Sequence, residues 1–133
     1  MRRISLTVPD EVYKALEELA ERTRISNRSR LVSDAIMAYA SQSLEDGARY
    51  AGAIIVLYDH SRGETVYGVT DAQHDYPEIS ASLHMHLSED LCLEVLGVRG
   101  EGGRLKNLIS ALRGVSGVIT VQYSLVRLDQ AVR

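Results

Sequence analysis

The segment from Leu83 to Glu94 constrains the fold more than any other part of this 133-residue chain. Apolar residues alternate with two histidines up to Leu87, which predicts a β-strand with one apolar face and one face that carries both imidazoles. The polar triplet Ser88-Glu89-Asp90 interrupts the alternation and predicts a turn, after which a second strand begins at Leu91. The segment is therefore predicted to fold as a β-hairpin.

Pairing around this turn determines which side chains face one another. His86 is predicted to lie opposite Cys92, and His84 opposite Glu94. Directly opposed Cβ atoms lie about 4.5–5.5 Å apart, so two imidazoles and a thiolate can reach one metal ion at about 2.0–2.3 Å. The hairpin thus offers three ligands, one fewer than a four-coordinate site needs. Glu94 is expected to accept a hydrogen bond from a ligating ring and to orient it.

The sequence constrains the fourth ligand and the identity of the metal less than it constrains the three ligands on the hairpin. His74 precedes the hairpin and is the candidate fourth ligand, whereas His60 lies in a polar turn and is expected to be solvated. Imidazole and thiolate together suit Ni(II), Cu(II) or Zn(II) and not magnesium or calcium. Donor type alone leaves these three metals open. The alternative is that the histidines and the cysteine are ordinary structural or solvated residues.

Composition and charge narrow the class of protein. The chain is 45% hydrophobic and 25% charged with a formal net charge of −3, as in an ordinary soluble protein. Its single cysteine cannot form an intrachain disulfide, which fits a reducing compartment. No apolar run approaches the roughly 20 residues of a membrane span, and no signal-peptide core is evident. We therefore expect a cytoplasmic protein.

Residues 1–43 are predicted to form a strand, a helix and a second helix. Arg2–Val8 alternates polar and apolar residues, Pro9-Asp10 opens the first helix, and Ser26 or Asn27 opens the second. Because one strand has two open edges and so short a segment has a small core, we expect two copies to pair their strands in an intertwined dimer. The stripes expected to face inward are Val12, Ala15, Leu16, Leu19 and Ala20, then Leu31, Val32, Ala35, Ile36 and Tyr39.

The polar face of the first strand predicts contact with double-stranded DNA. Arg3, Ser5 and Thr7 share that face. A two-stranded ribbon fits the major groove, where arginine reads guanine and serine or threonine contacts base edges. The start of the second helix offers free N–H groups to a phosphate, from the segment that contains Asn27, Arg28 and Ser29. The alternative is a polar surface strand and an ordinary helix cap.

Residues 51–133 are predicted to form a second domain of the ferredoxin-like class, with the order β-α-β-β-α-β. Asp59–Asp75 is open between helix and loop, because its glycines and β-branched residues weaken a helix. The other predicted elements are strands at Ala51–Tyr58, Ile79–Leu87, Leu91–Val98 and Val118–Arg127, and a helix at Gly100–Arg113. The whole chain is accordingly predicted to be an α+β protein of two domains.

Catalysis is not predicted. The chain has no P-loop, no zincin motif and no supported Ser-His-Asp arrangement. Cys92 and His86 resemble a nucleophile and a base, but nothing indicates an oxyanion hole or a substrate pocket. We therefore expect that the protein is not an enzyme.

Taken together, these residues resemble the nickel-responsive transcriptional repressor family, in which a ribbon-helix-helix DNA-binding domain is joined to an ACT-like metal-binding domain. The resemblance extends over essentially the whole chain. It is carried by Arg3-Ile4-Ser5-Leu6-Thr7, Ser26-Asn27-Arg28-Ser29, Gln73-His74, Leu83-His84-Met85-His86 and Leu91-Cys92-Leu93-Glu94.

The resemblance implies a homotetramer, a dimer of dimers held together by the C-terminal domains. It implies that Ni(2+) is bound in a square plane by three residues of one subunit and a histidine of a neighbour, namely His84, His86 and Cys92 with His74. It further implies that Arg3, Ser5 and Thr7 read a palindromic operator. Nickel would favour the DNA-bound state and shut off nickel uptake.

Two positions depart from the family pattern. The spacing from His74 to His84 is one residue shorter than usual, and Asp75-Tyr76-Pro77 replaces a stretch that is often rich in histidine. Arg30 stands where the family often has a glutamate that helps to hold a second cation, although Asp34 remains. The sequence leaves open whether this second cation site is kept or whether the Arg30 charge replaces the cation.

Two other functions fit parts of the sequence. One is a metal-independent ribbon-helix-helix repressor or antitoxin, whose C-terminal domain binds a protein or a small ligand. The other is a metal-binding or storage protein without a role on DNA. The first predicts no stoichiometric metal, and the second predicts that changes at Arg3 and Thr7 have no effect.

Overall fold

The computed structural model describes residues 1–128, which divide into two compact units between Ala40 and Ser41. The first unit contains helix α1, Asp10–Thr23, and helix α2, which runs from Arg28 to Ser41. The second contains the sheet and two further helices. No described helix is long and apolar enough to cross a membrane.

The helices of the first unit follow from local signals. Pro9 precedes α1, and its first turn carries Asp10 and Glu11, which suit the positive end of the helix dipole. Arg24 ends α1 in the left-handed conformation, with φ of 58°. The Asn27 side-chain oxygen accepts a hydrogen bond from the Arg30 N–H at 3.2 Å, so Asn27 caps α2.

The predicted strand at Arg2–Val8 is not formed in the single chain, because residues 1–9 have no regular secondary structure. A strand needs a partner for its backbone N–H and C=O groups, and the described part of this chain supplies none. The apolar side chains of this segment are therefore exposed, with Ile4 and Leu6 each at 68%. The segment thus has the alternation of polar and apolar residues that a strand requires, but it lacks a second strand to pair with among the described residues.

The predicted inward stripes of α1 and α2 are likewise not buried within one chain. None of the residues of α1 is buried, and Leu31 is the one buried residue of α2. Ile36 and Tyr39 are exposed. Two short helices cannot cover each other fully, so the apolar surface of this unit is too large for the unit to bury alone.

The second unit has the predicted β-α-β-β-α-β order, which confirms the ferredoxin-like, ACT-like fold. Its four strands form one antiparallel sheet in the order β2-β3-β1-β4. The segment that the sequence left open is helical over thirteen residues. The elements are β1 Arg49–Asp59, α3 Gly63–Asp75, β2 Ile79–His86, β3 Leu91–Glu101, α4 Gly102–Arg113 and β4 Val118–Arg127.

The core lies on one face of this sheet. Burial alternates along β3, where Cys92, Glu94, Leu96 and Val98 are buried and the residues between them are half-buried. Helix α4 buries an apolar stripe against this face, made of Leu105, Leu108, Ile109 and Leu112. The opposite face carries Leu83 and Met85 of β2, which remain exposed in the single chain.

The turn between α4 and β4 depends on a glycine. Gly117 has a φ of +90°, and an added Cβ would overlap the buried Thr65 hydroxyl. That hydroxyl donates to the carbonyl of Ser116 at 2.7 Å. The Gly117 carbonyl in turn accepts a hydrogen bond from the Asp59 N–H at 2.9 Å, so this turn holds the end of β1.

We expect Gly117→Ala to lower the free energy of unfolding by about 1–3 kcal/mol, because the backbone conformation strains any L side chain. Gly47→Ala is the control, since an added Cβ there meets nothing within 4 Å and a surface change is worth about 0.5 kcal/mol or less. Urea unfolding measures both. Equal stabilities of the two variants would contradict this account of the turn.

Candidate metal centre

The β2–β3 hairpin has the register predicted from the sequence. His84 lies opposite Glu94 and His86 opposite Cys92. The strands close where the Leu87 N–H donates to the Leu91 carbonyl at 2.9 Å. This register brings both imidazoles to the edge of the sheet beside the thiol.

The sulfur and the two rings form a compact set of donors. The Cys92 Sγ lies 2.5 Å from His84 Nε2 and 3.9 Å from His86 Nδ1. Cys92 is fully buried, whereas both histidines are exposed. The thiol therefore lies on the buried side of the donor group, and the two imidazoles lie on its solvent-exposed side. One soft and two borderline donors at these separations fit a late first-row divalent ion.

Glu94 holds the buried side of this group. Its Oε1 accepts a hydrogen bond from the Tyr58 hydroxyl at 2.8 Å and lies 3.2 Å from His84 Nδ1. Its Oε2 accepts a hydrogen bond from the Gln73 amide. A proton held on His84 Nδ1 leaves Nε2, the atom that faces Cys92, free to bind a metal.

Tyr58 keeps its proton beside this carboxylate. Burial, and then the hydrogen bond to Glu94, raise the pKa of Tyr58 above its ordinary value of 10. The phenol therefore remains a neutral donor in the physiological pH range. Neither Tyr58 nor Gln73 was expected at this site from the sequence, although the two-residue periodicity of β1 and the adjacency of Gln73 to His74 are the signals that point to them.

His74 lies apart from the other three imidazoles, whereas His60 lies closer to them than the sequence predicts. His74 is exposed at the end of α3, and it is not part of the imidazole cluster that the described residues form. His60 was expected to be solvated, but it is half-buried, and its ring nitrogens lie near those of His84 and His86. The pairing of Asp59 with Leu91 brings the end of β1 to the tip of the hairpin.

The residues predicted to contact DNA lie in the first unit. Arg3, Ser5 and Thr7 are exposed. Arg28 forms an ion pair with Glu17 at 2.5 Å and lies over the Tyr13 ring, so its guanidinium is directed toward α1. Asn27 and Ser29 are exposed at the start of α2.

The possible second cation site contains an ion pair within one helix. Arg30 Nε lies 3.7 Å from an Asp34 carboxylate oxygen, and both side chains are exposed. The arginine therefore supplies a positive charge to the aspartate. Such an exposed pair is worth less than about 1 kcal/mol.

Each unit matches a protein-family model. Residues 2–43 match the ribbon-helix-helix protein, copG family, and residues 51–126 match the NikR C-terminal nickel-binding domain. The fold and the matches define the class: a ribbon-helix-helix protein with an ACT-like nickel-binding domain. Since relatives also match over most of their length, the chain belongs to the family of nickel-responsive regulators.

Those relatives are archaeal proteins assigned as nickel-responsive regulators. The chain is 36% identical to one from Methanocaldococcus jannaschii, over 95% of this chain and 92% of the relative. It is 36% identical to another from Methanococcus maripaludis with the same coverage. A third, from Thermococcus onnurineus, is 35% identical over 87% of this chain and 86% of the relative.

Among solved structures, the chain is similar to the ACT domain from the GTP pyrophosphokinase of Chlorobium tepidum. The TM-score is 0.48 at 16% identity, with 56% of this chain and 97% of that chain covered. The family assignment is to regulators and not to an enzyme family.

We expect Glu94→Gln to weaken nickel binding by roughly 10–100-fold, the usual cost of losing a group that orients a ligating histidine. The uncharged amide holds the His84 Nδ1 proton less firmly. Glu89→Gln, in the exposed turn of the same hairpin, is the matched control. Competition with a chromophoric chelator measures both affinities, and equal values would show that Glu94 does not orient the ring.

Proposed function

We propose that this chain is a nickel-responsive repressor, in which Ni(2+) binds the C-terminal unit and raises the affinity of the N-terminal unit for double-stranded DNA. The observation that carries the proposal is the meeting of Cys92, His84 and His86 on one hairpin, in a chain whose family binds nickel. The regulated process is the uptake of nickel. The protein acts in the cytoplasm, where its DNA is.

The donor set supports Ni(2+) as the ion. Nickel accepts imidazole nitrogen together with thiolate sulfur and tolerates a square-planar site. Bound nickel supplies a positive charge and a strong preference for a fixed arrangement of four donors. Cys92 would hold the ion through its sulfur, and Glu94 would keep the His84 ring in the tautomer that presents Nε2.

The fourth ligand in this proposal is His74 of the partner subunit. The exposure of His74 supports it, and hydrogen bonds within one chain connect the end of α3 to His84. His74 is exposed at the end of α3 and is thus available to a second chain. The adjacent Gln73 donates to Glu94, which lies beside His84, so the end of α3 and the metal ligands share one hydrogen-bond network.

A homotetramer, as a dimer of dimers, is supported by the apolar surface that one chain leaves uncovered. Leu83 and Met85 project from the hairpin strand on the face opposite to the histidines, and Leu87 follows them. Contiguous exposed apolar surface of this kind marks an association site. A second C-terminal unit on this face would cover these apolar side chains.

DNA binding is supported by a second uncovered surface. Ile4, Leu6 and Val8 are exposed in one chain, and pairing with the same segment of a second chain would bury them. The paired strands would present Arg3, Ser5 and Thr7 outward to the major groove. Two-fold symmetry of the pair implies a palindromic operator. The start of α2 would contact the phosphates, through Asn27, Arg28 and Ser29.

The effect of nickel on DNA affinity follows from thermodynamic linkage between metal binding and the arrangement of the subunits. An ion changes DNA affinity only if it binds one arrangement of subunits better than another. A metal site with ligands from two subunits satisfies this condition, because a bound ion fixes the placement of one subunit relative to the other. A fixed placement raises the effective concentration of the second DNA-binding pair at its half-site. We expect a coupling of about 1–3 kcal/mol.

The direct test measures binding to a palindromic DNA that nickel-loaded protein selects in vitro. At fixed salt, Ni(2+) should tighten binding by roughly 5–150-fold. His86→Ala should abolish this gain while weak metal-free binding survives, and Ser82→Ala, on the same strand face, should retain it. Equal affinities with and without Ni(2+) in the unmodified protein would reject the proposal in favour of a metal-independent repressor.

The readout of DNA sequence has its own test. Arg3→Ala should cost about 1–3 kcal/mol of specific affinity, because a bidentate contact to guanine is lost. Arg2→Ala removes the same charge one residue away and should weaken specific and non-specific binding alike. Electrophoretic mobility shifts on operator and scrambled DNA separate these effects. Identical losses in the two variants would exclude base readout by Arg3.

A further inference from the structure

A third imidazole faces the metal centre from within the same chain. One ring nitrogen from each of His60, His84 and His86 lies within 4.8 Å of the others. The His60 ring centroid is 5.1 Å from that of His86 and 6.2 Å from that of His84. These are the separations of donors around a single ion after small rotations, because metal–nitrogen bonds of about 2.0–2.1 Å place ligand atoms roughly 3–4 Å apart.

The backbone holds His60 in this position. Its N–H donates to the Asp90 carbonyl at 2.6 Å, which ties the end of β1 to the tip of the hairpin. The preceding Asp59 accepts hydrogen bonds from the Ser61 N–H at 2.9 Å and from its hydroxyl at 2.6 Å. The turn that carries His60 is thus fixed on both sides, and its ring is half-buried against two exposed imidazoles.

We propose that His60 is a metal ligand of the same subunit, which together with His84, His86 and Cys92 lets one chain hold a divalent ion with three imidazoles and one thiolate. This inference rests on the metal centre of the proposed function. It adds a second mode of coordination that needs no donor from a partner. His60 and His74 of the partner subunit then compete for the fourth position.

The coordination geometry that each metal prefers decides between coordination within one chain and coordination with a donor from the partner subunit. Zinc adopts a tetrahedron with four such ligands, and the three imidazoles with the Cys92 sulfur make four donors of that kind. For nickel, which accepts a square plane, His74 of the partner subunit would supply the fourth donor. An ion held inside one chain does not discriminate between arrangements of subunits, so it leaves DNA affinity unchanged. His60 therefore selects which metals act as effectors.

The test compares His60→Ala with His74→Ala in the full chain, using Zn(II) and Ni(II) as separate probes. His60→Ala should weaken zinc binding by more than about tenfold, since even an orienting group costs that much, and should leave nickel binding within a factor of about three. His74→Ala should do the reverse. Chelator competition gives the affinities, and the absorption spectrum of the Co(II) form reports loss of tetrahedral coordination in His60→Ala.

Dilution provides an independent readout. Zinc affinity of the unmodified protein should not change as the assembly dissociates, because one chain supplies every ligand. His60→Gln keeps a polar side chain of similar size and replaces His60→Ala if the latter unfolds. Zinc binding that is unchanged in both variants, or that requires His74, overturns the inference. The proposed function fails by a different result, a nickel response on DNA that survives His86→Ala.

Discussion

The antiparallel pairing of β2 with β3 is the constraint on which the account of this protein depends. That pairing places His84 beside Glu94 and His86 beside Cys92. A slip of one residue would turn the histidines to the other face of the sheet. The apolar residues between them, Leu83 and Met85, keep their own face. The proposed metal ligands and these exposed apolar side chains thus occupy opposite sides of one strand.

Glu94 connects this hairpin to the rest of the unit. It is nearly buried and is held by Tyr58 from β1 and Gln73 from α3. A buried carboxylate is costly unless its oxygens are hydrogen-bonded, and here three partners satisfy it. The same bonds tie the His84 ring to the helix that ends near His74. One side chain therefore connects the His84 ring with α3.

Much of this could be predicted from the sequence, because the determining interactions are local. The alternation around Ser88-Glu89-Asp90 predicted the hairpin register, and the stripe of α4 predicted a helix. Helix α3 was ambiguous, since its glycines oppose a helix that tertiary packing nevertheless supports. His60 was misjudged because its neighbours come from strands distant in sequence.

In the first unit, by contrast, the sequence predicts a strand that one chain does not form. Residues 2–8 have a clear strand pattern, yet the described part of the chain, residues 1–128, gives that segment no strand partner. Ile4, Leu6 and Ile36 are exposed. A strand needs a partner for its backbone groups, and the pairing of two chains proposed above would supply one.

X-ray absorption at the nickel edge, on the full chain loaded with one equivalent of Ni(2+), is the most direct measurement. The account predicts a square-planar ion with one sulfur and three nitrogen ligands, and loss of the sulfur in Cys92→Ser. A spectrum with only oxygen and nitrogen ligands, or one that Cys92→Ser leaves unchanged, would contradict it.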